Sequence, residues 1–155
     1  VEASFEMDIW MLNVHSLGGS EMLRAASEVI SEASIKPLLV GVTILTSFDD
    51  KSLKQIGINS NVKDQVLILA ELCQREGIDG VVCSPHELPL LRSKFLEDFI
   101  LVTPGIRSTE VEDDQKRTAS AHDALKNGAD YIVLGRDVTS SKNPADKISK
   151  IIEEI

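Results

Sequence analysis

A chain of 155 residues can bury one sizeable core, and 43% hydrophobic with 26% charged residues is the composition of a globular protein. A formal net charge of −9 excludes a nucleic-acid surface, which needs a concentrated basic patch. It leaves room for a phosphorylated small molecule, since a few cations and backbone N–H groups can converge locally on an anion.

In chain order, the first strand candidate lies at 9–15. Further short runs at 38–44, 80–83, 99–103 and 131–135 are apolar on both faces, as parallel strands covered by helices are. Amphipathic periodicity between the strands predicts helices over 21–31, 62–76, 87–95, 119–126 and 144–155. In the second of these, Val62, Val66, Leu69, Ala70 and Cys73 form one stripe, with Lys63, Asp64, Gln74 and Arg75 outside it. Arg92 falls on an outer helix, and Pro144 stands where a first helical residue belongs.

One phrase occurs twice, Glu-Gly-Ile-Asp-Gly-Val-Val at 76–82 and Asn-Gly-Ala-Asp-Tyr-Ile-Val at 127–133. It reads as a recurring helix-to-strand turn, with Gly77 and Gly128 in the left-handed position after each helix. No linker or shift of composition divides residues 1–155, so a single domain is expected. Alternating βα units allow an open doubly wound sheet or a (β/α)₈ barrel, and no G-x-G-x-x-G follows the first strand to favour dinucleotide binding. A barrel takes eight units and about 250 residues, so five units would leave a curled sheet with two raw edges. Five units therefore look like a fragment.

Cys73 and Cys83 form no C-x-x-C pair and belong to no zinc ladder, so both are expected as buried thiols, in keeping with a reducing cytoplasm. No apolar run approaches a membrane span and no signal-peptide pattern opens the chain, so the expectation is cytoplasmic with no membrane partner.

Ligands of βα proteins sit at the C-terminal ends of the strands, where small, polar and glycine residues cluster in this chain. Gly135-Arg136 ends the last strand; an uncovered backbone and a guanidinium there suit a phosphate, although a surface arginine would look the same. Pro104-Gly105-Ile106-Arg107 opens a polar loop over 108–118, which suits a lid and holds Gln115, an amide able to donate and accept. His15, His86 and His122 are too scattered to form an acid–base cluster, and structural roles are expected for all three. No paired-carboxylate, nucleophile-elbow or metal pattern stands out. Read alone, the residues reach a phosphate-binding βα protein and stop there.

Taken together, Trp10-Met11-Leu12-Asn13-Val14-His15, Val42-Thr43-Ile44-Leu45-Thr46-Ser47, Asp79-Gly80-Val81-Val82-Cys83-Ser84, Leu101-Val102-Thr103-Pro104-Gly105-Ile106-Arg107, Asp114-Gln115-Lys116-Arg117 and Gly135-Arg136-Asp137-Val138-Thr139 closely resemble bacterial orotidine 5′-phosphate decarboxylase. The likeness runs in order along essentially the whole chain. It implies decarboxylation of orotidine 5′-phosphate to uridine 5′-monophosphate in pyrimidine biosynthesis, with a nucleotide as substrate and neither metal nor organic cofactor. It places Arg136 and the Gly135 backbone on the phosphate, with Arg107 beside them. Gln115 would bridge phosphate and pyrimidine, and Thr46 would lie near the ring. It also implies a homodimer and an α/β fold, the TIM barrel of which this chain covers the last five βα units.

The family's Lys and Asp network, in a phrase of the type Asp-Leu-Lys-x-x-Asp-Ile-Pro, is not in this sequence. The resemblance therefore puts no catalytic residue in the chain and takes the first three βα units to be absent. The 155 residues by themselves are expected to be inactive. Another sugar-phosphate enzyme of the same barrel group, or a non-catalytic phosphate-binding fragment, is the alternative.

Overall fold

The computed structural model describes residues 1–107 and 118–155. Five strands, β1 (Met11–His15), β2 (Leu38–Val42), β3 (Gly80–Val82), β4 (Ile100–Thr103) and β5 (Tyr131–Ile132), form one parallel sheet in the order β1-β2-β3-β4-β5. The helices are α1 (Gly19–Glu32), α2 (Asp50–Gln55), α3 (Val62–Arg75), α4 (Leu88–Arg92), α5 (Ala121–Lys126), α6 (Arg136–Thr139) and α7 (Pro144–Glu153).

That strand order separates the two fold classes the sequence left open. Parallel crossovers are right-handed, so an unreversed order carries the crossover helices, α1 to α5, to the same face of the sheet. A doubly wound sheet needs a reversal to cover its second face. All seven helices contribute to one apolar cluster, including Leu23, Leu53, Val66, Leu88, Ala124, Val138 and Ile151, against Leu39, Val81 and Leu101 of the sheet. The sheet is also curled. Trp10, just before β1, and Tyr131, in β5, have ring centroids 5.1 Å apart. A flat sheet would hold strands four places apart at about 19 Å. Helices on one face of a curled parallel sheet are the architecture of the barrel class.

The stripe expected on 62–76 is the buried set of α3: Val62, Val66, Leu69, Ala70 and Cys73. Asn61 starts that helix by accepting from Asp64 N at 2.9 Å. Both cysteines are buried and free. Burial pushes the Cys73 thiol up, and the Ser16 hydroxyl at 3.1 Å offsets this only in part. Gly77 and Gly128 have φ of +75° and +100°, the left-handed turn that the repeated phrase suggested.

The repeated aspartates are explained by the sheet. Asp79 Oδ2 accepts from Leu39 N at 2.7 Å, and Asp130 Oδ2 accepts from Leu101 N at 2.7 Å. Each carboxylate thus clips the start of the neighbouring strand, satisfying a backbone donor beyond the ladder.

The chain starts on a 3-10 helix, Glu2–Met7. Several expectations are corrected. The predicted helix over 87–95 is a 3-10 turn at Pro85–Glu87 followed by a short α4, since prolines at 85 and 89 remove backbone donors. The predicted strand over 131–135 pairs only at Tyr131 and Ile132, with Val133 N still reaching Thr103 O at 2.9 Å. It is the last strand of the described sheet, with no second neighbour to extend its ladder. The short α2 was not foreseen; its signal was the Asp49 cap, which accepts from Ser52 N at 2.9 Å. The residues directly after Gly135 are helical over Arg136–Thr139.

Arg92 is more than an outer-helix residue. Its guanidinium donates to Gly128 O and Phe99 O, both at 2.8 Å, and pairs with the Asp130 carboxylate. It ties α4 to the turn before β5.

Candidate functional site

The C-terminal ends of β1 to β5 lie side by side, and the candidate residues follow from that placement. Past β2 the chain runs through Thr43, buried, whose Oγ1 donates to Val82 O at 2.8 Å. Holding that segment against β3 presents Ile44 to Ser47 over the strand ends. A cavity of about 300 Å³ opens there, lined by Val42, Ile44, Leu45, Thr46, Val82 and Pro104, with Ser47 and Cys83 completing it. Its walls are mostly apolar with two hydroxyls, the chemistry of a small planar ring with polar edges.

Past β4 the chain turns at Pro104-Gly105. Gly105 has φ of +81°, a conformation that a side chain would strain. The turn leads to Ile106, which bridges in parallel to Ala119. Arg107 N donates to Ala119 O at 3.0 Å, and Ala119 N donates to Gly105 O at 3.2 Å. The Arg107 side chain is buried at 8% exposure and Nη1 donates to Ile106 O at 3.0 Å. A buried guanidinium keeps its charge, so its surroundings are committed to anionic or carbonyl partners.

Past β5, Gly135 precedes α6 and Arg136 opens it, exposed. A Cβ built on Gly135 would meet no other atom of the described residues within 4 Å, so among them the space above that backbone is open. Asp137 Oδ1 lies 3.5 Å from Lys147 Nζ, which fixes α6 on α7.

Thr46, Arg107, Gly135 and Arg136 therefore all fall at one end of the sheet, and of these Thr46 lines the 300 Å³ cavity. Gln115 lies outside the described residues. Sequence reasoning missed the buried Thr103, whose Oγ1 has no hydrogen-bond partner among the described residues. A strand-ending threonine before Pro-Gly was its only signal. His15, His86 and His122 are each exposed and on separate elements. Among the described residues, no group of three His, Cys, Asp or Glu side chains is placed to hold a metal. Among them, too, no helix is long and apolar enough to cross a membrane.

A larger cavity, about 940 Å³, opens at the opposite end of the sheet among Arg92, Phe95, Leu96, Lys126, Gly128 and Asp130. Arg92 and Asp130 are spent there on each other and on backbone groups, so size does not mark the site.

Fold and strand-end cluster define a βα-barrel protein with its candidate site at the C-terminal ends of the strands. Residues 1–151 match the family model described as Orotidine 5′-phosphate decarboxylase / HUMPS family, and the chain belongs to that family. It is 47% identical over 150 residues to the orotidine 5′-phosphate decarboxylase of Hydrogenovibrio crunogenus, covering 96% of this chain and 64% of that protein. To the enzyme of the same name from Tolumonas auensis it is 48% identical over 155 residues, covering 97% and 66%. The crystal structure of orotidine 5′-phosphate decarboxylase from Lactobacillus acidophilus superposes with a TM-score of 0.81 at 33% identity, covering 99% of this chain and 66% of that one. An uncharacterized conserved protein from Geobacillus kaustophilus superposes at 0.75 and 29% identity, over 94% and 63%. The chain thus spans slightly less than two thirds of these relatives.

Proposed function

We propose that this chain supplies the nucleotide-gripping part of an orotidine 5′-phosphate decarboxylase, which releases carbon dioxide from the pyrimidine ring to leave uridine 5′-monophosphate in pyrimidine biosynthesis. The observation that carries this reading is placement. Four of the residues singled out by likeness to decarboxylases, Thr46, Arg107, Gly135 and Arg136, fall at one end of a barrel-class sheet, two of them arginines in a chain of net charge −9.

In this reading Arg136 and the uncovered Gly135 backbone take the phosphate, and Arg107 stands in the same site. Thr46 faces the ring in the cavity, and Gln115 reaches over the ligand. Gripping a phosphate remote from the reacting carbon supplies binding energy that organises the reacting end. The lysine and aspartates that do the proton chemistry are not among these residues and would come from three further βα units of the complete protein. The 155-residue chain alone would bind without turnover. The working protein is a cytoplasmic homodimer that uses no metal or organic cofactor.

The test is turnover of orotidine 5′-phosphate by the complete gene product without added metal, followed by ring absorbance. Absent or metal-dependent turnover would sink the reading. The family description also covers HUMPS, so a sugar phosphate is the second reading; turnover of a sugar phosphate instead would establish it.

A further inference from the structure

Beside the stem that carries Arg107 stands a rigid corner after β3. Ser84 Oγ accepts from His86 N at 3.2 Å, and Ser84 N donates to Glu87 Oε2 at 2.9 Å, so a capping box holds the Pro85–Glu87 turn from both sides. From this corner the imidazole of His86 reaches another βα unit, where its Nε2 lies 3.3 Å from Thr118 O. A carbonyl only accepts, so Nε2 carries the proton and donates. The neighbouring carboxylates are otherwise engaged: Asp49 accepts from Ser52 N, Asp50 from Val62 N and Asp64 from Asn61 Nδ2. Thr118 runs directly into Ala119, whose N–H and carbonyl make the two backbone bonds to Gly105 and Arg107.

We propose that His86 is a positioning residue for the ligand site: by holding the Thr118 carbonyl it fixes the stem on which Arg107 stands. The bond comes from a corner with its own caps, so it references the Arg107 stem to β3 as well as to its own strand. His86 touches no reacting group in this scheme. The functional half of the proposal rests on the decarboxylase reading, and the anchoring half does not.

The experiment compares the complete gene product with His86→Ala and His86→Gln, the second keeping an N–H donor at similar reach. Amide hydrogen exchange at Arg107 and Ala119, without nucleotide, reads the anchor; KM and kcat for orotidine 5′-phosphate read its consequence. One net hydrogen bond corresponds to a roughly fivefold loss of protection in His86→Ala and a roughly fivefold rise in KM, with kcat little changed. His86→Gln restores both. Unchanged protection in His86→Ala, or glutamine failing to restore it, overturns the anchor. Lost protection with KM unmoved overturns the positioning role. Lost protection in a protein whose unsubstituted form shows no turnover upholds the anchor and defeats the decarboxylase reading instead.

Discussion

The two rims of the sheet are built on opposite principles. At the N-terminal rim polar groups meet partners: Asp79 and Asp130 clip Leu39 and Leu101, and Arg92 bridges to Gly128, Phe99 and Asp130. Arg24 Nε and Nη2 both donate to Glu76 Oε2, at 3.0 and 2.9 Å. At the C-terminal rim, among the described residues, stand a buried hydroxyl without a hydrogen-bond partner at Thr103, open space over Gly135 and a cavity walled by Thr46 and Pro104. A fold can spend its polar groups on itself or hold them for a ligand. This one does the first at one rim and leaves room for the second at the other, as expected of a barrel whose N-terminal face serves stability.

The sharpest way to break that comparison is to remove one arginine from each rim. Arg136→Ala in the complete protein is expected to weaken uridine 5′-monophosphate binding by about 2–5 kcal/mol, the loss of a desolvated charge-assisted contact, and to move affinity more than it moves the urea midpoint. Titration calorimetry and denaturation read the two halves; a small binding change would remove Arg136 from the site. Arg92→Ala is expected to do the reverse, costing about 1–3 kcal/mol of stability through orphaned carbonyls and the unpaired Asp130, with nucleotide affinity retained. Equal effects of both substitutions on affinity would erase the distinction between rims.

Gly135→Ala sharpens it further. The added methyl meets no atom of the described residues within 4 Å, so the variant should unfold within about 0.5 kcal/mol of the parent. If the open space belongs to the ligand, affinity falls at least tenfold by calorimetry, and full affinity would show that nothing docks there.

The smallest expected effect is a pH dependence at the N-terminal rim. Burial tends to raise the Glu76 carboxyl, but bonds from Arg24 and Ser20, the Arg24 charge and a bond from Arg75 prevail and hold it below its ordinary value. A group lowered on folding adds stability that is present above its unfolded value, about 4.3, and lost as pH falls through the folded one. Glu76→Gln should therefore flatten the fall in urea midpoint below about pH 4. An unchanged acid limb would place the loss elsewhere.

Much of this was legible in the sequence because it depends on local order. Period 3.6 marked the buried stripe of α3, and glycine after each helix marked the turns at Gly77 and Gly128. The strand-ending glycines and arginines at 105–107 and 135–136 marked the candidate site, since strand ends converge in any parallel βα sheet. Other features were illegible for one reason: they depend on partners distant in the chain. Arg92 looked like surface until Gly128 and Asp130 came to it, 36 and 38 residues away. The repeated Asp79 and Asp130 looked like turn residues until strands 40 and 29 residues earlier offered their N–H groups. His86 had no visible task until Thr118 arrived, 32 residues on.

The sequence by itself determined the alternation of strand and helix and the end of the sheet where the candidate site falls, because periodicity and turn chemistry act between neighbours in the chain. Only the tertiary structure decided how far each strand pairs and which charged side chains are spent on the fold. Those outcomes rest on strand order and on hydrogen bonds closed across tens of residues, which no local pattern encodes.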